Sequence, residues 1–247
     1  MPRPRLYFDR WPAALYAIGD VHGCLPQLLE IERQIEADAT GVEGEKWIVM
    51  LGDYVDRGPQ SAQVLDHLLQ PAPPGFERFC LMGNHEQMML DFLDDPLTNA
   101  YWLEQGGLET LQSYGRHSKA ASGRGESGLP GVRQQIPADH LRFLDELAVG
   151  LSLPGWIFVH AGIRPGRTLA EQTDEDLLWI REPFLSGRLV GAPRVVHGHT
   201  PSPEPEVTPY RVCLDTQCFF TGRLTAARIT QDGELSFLAT TGQAAKM

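Results

Sequence analysis

Three short stretches of this chain set carboxylate, imidazole and amide side chains directly after apolar runs. They are Gly19-Asp20-Val21-His22-Gly23, Gly52-Asp53-Tyr54-Val55-Asp56-Arg57-Gly58 and Gly83-Asn84-His85-Glu86. Asp20 and His22 are two apart, so in extended backbone they point to the same side, which suits a shared divalent cation. Of the two carboxylates in the second stretch, one can hold a metal and the other can orient an acid or base. Arg57 beside them can grip an oxyanion such as phosphate in two places. Asn84 offers a neutral carbonyl oxygen to a cation, and His85 can carry a proton. Each stretch alone has an ordinary reading: a loop hydrogen bond, an exposed Asp-Arg pair, a helix cap. Three successive strand ends equipped in this way agree on a site. His160, after the apolar run Trp156–Val159, adds another imidazole suited to a divalent cation.

The elements that must position these groups follow from periodicity. Strands are expected over Ala14–Ile18, 47–51 and 76–82, and amphipathic helices over 25–37 and 61–69. Alternation of this kind puts the polar loops at the carboxyl ends of the strands, the edge where open α/β sheets place ligands. Asn84 and His85 read as the cap of a helix over 87–93. Residues 94–147 form an excursion. Tyr101-Trp102-Leu103, Leu108 and Leu111 suggest short helices, and a helix is expected over 139–147. Between them the Gly- and Ser-rich stretch 113–131, with Arg116, His117, Lys119 and Arg124, reads as a loop: a surface excursion or a lid facing an anionic substrate. Further on, an acidic helix over 173–178 leads to Trp179-Ile180-Arg181. A strand over 194–196 precedes His197-Gly198-His199. Segments 211–215, 222–229 and 234–240 read as antiparallel strands closing a second sheet. Tyr7, Phe8 and Trp11 are expected to pack as an arm against a single domain spanning residues 1–247.

Composition bounds the function. The chain has 247 residues, 42% hydrophobic and 21% charged, and a formal net charge of −11. That charge argues against nucleic acid held in a basic groove. It leaves room for a phosphorylated substrate, because bound cations reverse the local field. Cys24, Cys80, Cys213 and Cys218 form no paired zinc pattern and accompany no secretory signal, so reduced thiols in a cytoplasmic protein are expected. No apolar run reaches bilayer length, and no membrane partner is expected.

Together with His160-Ala161-Gly162, Trp179-Ile180-Arg181 and His197-Gly198-His199-Thr200, the three stretches resemble the calcineurin-like metallophosphoesterase superfamily, within it the PPP-type bacterial serine/threonine phosphatases. The resemblance implies an α/β fold, a two-sheet mixed β-sandwich flanked by helices. It implies two divalent ions, manganese with iron or zinc as alternatives. Asp20, His22 and Asp53 would hold the first, and Asp53, Asn84, His160 and His199 the second. His197 competes with His199 by spacing, but the family pattern falls on His199. A metal-activated hydroxide would attack phosphorus, His85 would act as general acid held by Asp56, and Arg57 and Arg181 would bind the phosphate. The implied substrate is a phosphorylated protein or peptide. Val-Asp-Arg-Gly and Glu86 favour this over the alternative, a hydrolase of dinucleoside polyphosphates such as diadenosine tetraphosphate or of other small phosphoesters. A non-catalytic phospho-binding module is the remote third reading.

Overall fold

The computed structural model describes residues 2–115, 131–188, 191 and 193–241. Arg116, His117, Lys119 and Arg124 therefore lie outside the described residues. The chain begins with β1 (Arg5–Tyr7), then β2 (Ala14–Ile18), α1 (Leu25–Asp38), β3 (Lys46–Met50), α2 (Ser61–Leu68) and β4 (Phe76–Cys80). β2, β3 and β4 run parallel, joined by the two helices. This is the crossover arrangement that brings successive strand ends to one edge. Alternate residues of β2 serve two interfaces. Leu15 and Ala17 face a second sheet, while Tyr16 and Ile18 face the helices, and β3 repeats this with Trp47 and Val49 against Ile48 and Met50. Every one of these side chains is buried, which is why both strands read as near-continuous apolar runs.

Next come α3 (Asn84–Asp94), a 3-10 turn (Ala100–Gln105), α4 (Gly107–Ser113) and α5 (Ala138–Glu146). The second half holds β5 (Gly150–Leu153), β6 (Trp156–Val159), α6 (Asp174–Trp179), β7 (Arg194–His197), β8 (Glu206–Val207) and β9 (Arg211–Cys213). A short α7 (Cys218–Thr221) then leads to β10 (Thr225–Ile229) and β11 (Leu235–Ala239). The sheets have strand orders β1-β5-β6-β7-β9-β8 and β11-β10-β2-β3-β4. Leu151, Phe158, Val196 and Val212 of the first meet Leu15, Val49, Ala227 and Ile229 of the second in the shared core.

Two expectations change. The segments at 211, 225 and 235 do not close one sheet. β9 pairs parallel with β7, whereas β10 and β11 form an antiparallel pair added to β2. α7 separates them and carries the chain from one sheet to the other, a change of layer that strand alternation does not encode. The amino-terminal arm is also a strand, β1, parallel to β5. Phe8 packs on Trp47 and Phe79, and Trp11 on Trp156, as the arm reading requires, but Tyr7 is exposed. Among the described residues no helix is long and apolar enough to cross a membrane. All four cysteines are free, three of them buried.

Candidate active site

The polar loops after β2, β3, β4, β6 and β7 converge where the carboxyl ends of the two sheets meet. The meeting is enforced by backbone. Leu81 bridges to Ala148 and His199 N–H donates to Asp20 Oδ2 at 3.0 Å, each across the sheets, while Gly198 N–H donates to the His160 carbonyl within one of them. Two glycines are needed for steric reasons. A Cβ on Gly83 would lie 2.1 Å from Asp53 Oδ1, and one on Gly198 would lie 1.9 Å from Asp20 Oδ1. Any larger residue would push a carboxylate out of place.

Six non-glycine residues among those described have positive φ: His22, Asp53, Asp56, Arg57, His199 and Gln217. Left-handed backbone at such residues costs about 1–3 kcal/mol each and persists only where the surroundings hold it. Five of the six are residues singled out by their chemistry in the sequence. Glu86 supplies much of the restraint around Asp53. Its Oε2 accepts the N–H groups of Asp53 and Gly83, and its Oε1 those of Tyr54 and Val55, at 2.7–3.1 Å. Burial and nearby Asp53 push the Glu86 pKa up. With two donors on each oxygen, however, there is no place for a carboxyl proton, and the geometry is that of an anion. Glu86 also explains where α3 begins. By accepting the Gly83 N–H it lets the helix start at Asn84 rather than 87, so Asn84 and His85 occupy the first turn instead of capping it. Asp53 Oδ1 accepts the His85 N–H at that helix end, where an anion is favoured.

The imidazoles are oriented from behind. His22 Nδ1 faces the Val55 carbonyl and His160 Nδ1 the Leu51 carbonyl, each at 2.9 Å. Each therefore donates from Nδ1 and turns a lone pair on Nε2 into the site. Burial lowers the pKa of both rings, which keeps them neutral. His160 Nε2 lies 2.8 Å from Asn84 Oδ1 and 3.4 Å from Asp53 Oδ1. His199 Nδ1 lies 2.9 Å from the same amide oxygen, and burial brings this ring down to about 3. On the other side His22 Nε2 is 3.4 Å from Asp53 Oδ2.

This donor set fits divalent cations. Lone pairs of His160, Asn84 and Asp53 face one another without protons between them, an arrangement that a cation relieves. Asp20 Oδ1 and His199 Nε2 are buried with no hydrogen-bond partner. Burial, Asp215 and Asp53 push Asp20 well up in pKa, with Arg57 the nearby cation opposing them. Two overlapping ligand groups share Asp53: His22 with His85, and Asp20 with His160. Asp53 is common to both groups, and the second brings Asp20, which the resemblance places with the first ion, together with His160, which it places with the second. His197 is apart from this cluster. Its Nδ1 faces the Gly198 carbonyl, and its ring packs on Phe184.

His85 and Asp56 form the other half of the site. His85 Nδ1–H donates to Asp56 Oδ2 at 2.7 Å. Burial disfavours the imidazolium, but Asp53 and Asp56 outweigh it and the His85 pKa lies above its ordinary value. Guanidinium nitrogens of Arg57 lie 3.0 Å from His22 Nε2 and from His85 Nε2, and the group covers the Phe219 ring. Arg181, Trp179 and Tyr101 line the same cleft, of about 200 Å³, with Asp20, Asp53, Asn84, His85 and His199. Sequence reasoning missed three participants. Trp102 and Thr110 touch Asp56, and Asp215 is buried near Asp20 with its pKa pushed by burial up to about 6. Asp215-Thr216 was visible as a polar pair ending a strand, but nothing marked Trp102 or Thr110.

A two-sheet α/β fold with such ligand groups at its facing strand ends defines a metallophosphoesterase. Residues 14–235 match the calcineurin-like phosphoesterase family, and the chain belongs to it. It is 29% identical to serine/threonine-protein phosphatase 1 of Salmonella typhimurium over 93% of this chain and 100% of that protein. It is 27% identical to the asymmetrical bis(5'-nucleosyl)-tetraphosphatase PrpE of Oceanobacillus iheyensis over 87% and 88%. In fold it is similar to a cold-active protein-tyrosine phosphatase of a psychrophilic Shewanella species, with TM-score 0.56, 19% identity and coverage of 96% and 82%. A structure provisionally assigned as a diadenosine tetraphosphatase gives TM-score 0.67, 22% identity and coverage of 98% and 100%. The chain is a hydrolase of phosphoesters, in a family that uses divalent metals.

Proposed function

We propose that this protein is a phosphomonoesterase acting on phosphoserine or phosphothreonine in proteins. The observation that carries the reading is the His85–Asp56 pair, with its Nε2 directed at the same cleft as the cation ligands. Asp20, His22, Asp53, Asn84, His160 and His199 would hold two divalent ions, manganese being the first candidate and iron or zinc the others. When bound, such a pair lowers the pKa of water to about 7 and stabilises charge on both oxygens of an in-line displacement.

The chain's own groups supply the rest. Arg57 and Arg181 bind the phosphate oxygens, a bidentate task suited to the planar guanidinium. His85 gives the proton on Nε2 to the departing serine or threonine oxygen, and Asp56 holds the ring and favours its charged form. An alkoxide is a poor leaving group, so a proton donor held by a buried carboxylate suits an alkyl phosphate.

The second reading, a dinucleoside tetraphosphate hydrolase, is favoured by two aromatic rings. Tyr101 is 48% exposed and Trp179 38% exposed, and both line the cleft where a nucleobase could stack. The two readings separate in one assay. Manganese-loaded protein is given a phosphoserine peptide and diadenosine tetraphosphate at matched concentrations. A larger kcat/KM on the peptide supports the phosphatase reading; preference for the dinucleotide replaces it.

A further inference from the structure

Asp56 is completely buried, and a buried carboxylate is stable only when its lone pairs are answered. Two of the answering groups come from the 94–147 excursion, outside every motif. The Trp102 indole N–H donates to Oδ2 at 2.7 Å, the same oxygen that takes the His85 N–H. Thr110 Oγ1–H donates to Oδ1 at 2.7 Å, and Thr110 Oγ1 accepts the Asp56 backbone N–H at 2.8 Å.

The excursion holds the neighbouring residue too. The Gly106 carbonyl accepts the Arg57 N–H at 3.2 Å. Gly106 has φ +107°, and a Cβ there would lie 2.4 Å from Arg57 N. Asp56 and Arg57 are consecutive left-handed residues, with φ 73° and 68°, so their backbone depends on these bonds. Trp102 is itself fixed: its ring packs on Phe92 with centroids 4.8 Å apart, and a Cβ on Gly107 would lie 2.5 Å from the indole.

We propose that Trp102 and Thr110 are positioning residues that clamp the Asp56 carboxylate, one on each oxygen, at the reach and in the plane from which it holds the His85 ring. The inference rests on the reading that His85 protonates the leaving group. Without Trp102, Oδ2 keeps a single donor. Without Thr110, Oδ1 loses its donor and the carboxylate can turn away from His85. The phosphate grip of Arg181 is untouched in either case, so the effect falls on turnover.

The test uses manganese-loaded full-length protein, with Trp102→Phe, Thr110→Val, Thr110→Ser, Asp56→Asn and His85→Asn. Phosphoserine peptide is compared with p-nitrophenyl phosphate, whose leaving group needs little protonation. Losing one hydrogen bond to a charged group should lower kcat on the peptide roughly tenfold to a hundredfold in Trp102→Phe and Thr110→Val. KM should stay close to wild type, the aryl ester should lose less, and Thr110→Ser should restore turnover. Asp56→Asn should show the same leaving-group bias more strongly.

Equal losses on both substrates, with no rescue by Thr110→Ser, would mean a merely structural role and overturn the inference. A bias in Asp56→Asn with wild-type kinetics in both clamp variants would overturn it while the acid reading stands. No bias in Asp56→Asn or His85→Asn would remove the acid reading and the clamp with it. Should Trp102→Phe not fold, the Thr110→Val and Thr110→Ser pair decides by the same criteria.

Discussion

The strand-end loops and the 94–147 excursion contribute to one site in opposite ways. The loops carry the reactive groups on backbone that is left-handed at His22, Asp53, Asp56, Arg57 and His199 and fixed by neighbouring strands. The described part of the excursion supplies none of the expected cation ligands or phosphate-binding arginines. It reaches the site through an indole N–H, a threonine hydroxyl and a glycine carbonyl, all directed at Asp56 and Arg57. Reactive groups announce themselves by type and spacing. The groups that hold them are ordinary residues whose role exists only through contact.

The sharpest test of this contrast lies in the loops. Asp53→Asn removes the carboxylate that faces His22, His85 and His160, and activity should fall by about 10³-fold or more. The stabilisation that manganese gives wild-type protein in thermal unfolding should vanish with it. A variant that still gains in Tm on adding manganese would show that Asp53 is not the shared ligand. Chelation of wild-type protein should abolish activity, and added manganese should restore it.

Next in size is His85→Asn, with kcat on a phosphoserine peptide lower by about 10²–10⁴ and a smaller loss on an aryl phosphate. Similar losses on both esters would count against proton donation. Unlike Asp53→Asn, this variant should keep its manganese-dependent gain in Tm, which separates the two halves of the site.

Glu86→Gln comes third and bears on how the loops are held. An amide in place of the carboxylate would set its NH2 against two backbone N–H groups. Losing hydrogen bonds to a buried anion should cost about 1.5–3 kcal/mol, read as a lower Tm, with a weakened response to manganese. An unchanged Tm would show that the left-handed turn at Asp53 does not need the four bonds. The smallest effect is expected at the exposed Arg181. Arg181→Lys keeps the charge and loses the fork, so KM for phosphopeptide should rise by roughly a few-fold with kcat nearly unchanged. A kcat loss as large as that of His85→Asn would move Arg181 into the same class as the loop residues.

Much of this was legible in the chain itself. β2, β3 and β6 were visible as apolar runs; glycine followed by Asp marked the ends of β2 and β3, and a histidine directly after the run marked that of β6. Gly83 and Gly198 are glycines because carboxylates lie where a Cβ would be, which ties the pattern to a cause. The start of α3 was misread by three residues, since Asn84 is a good cap in isolation and only the folded Glu86 carboxylate takes over that task. Alternation puts β10 and β11 in one sheet with β9, whereas they pair onto β2 in the other, because alternation tells which face is apolar and says nothing of which sheet receives it.

By itself the sequence determined the residue types of the site, the strand ends that carry them and the family to which the chain belongs, because these are properties of short segments. Tertiary structure alone decided the meetings: His199 with Asp20 across 179 positions, and Trp102 with Asp56 across 46. The physical reason is range. A backbone turn or a strand period is set by adjacent residues, whereas satisfying a buried carboxylate depends on whichever donors the packing of distant elements brings within reach.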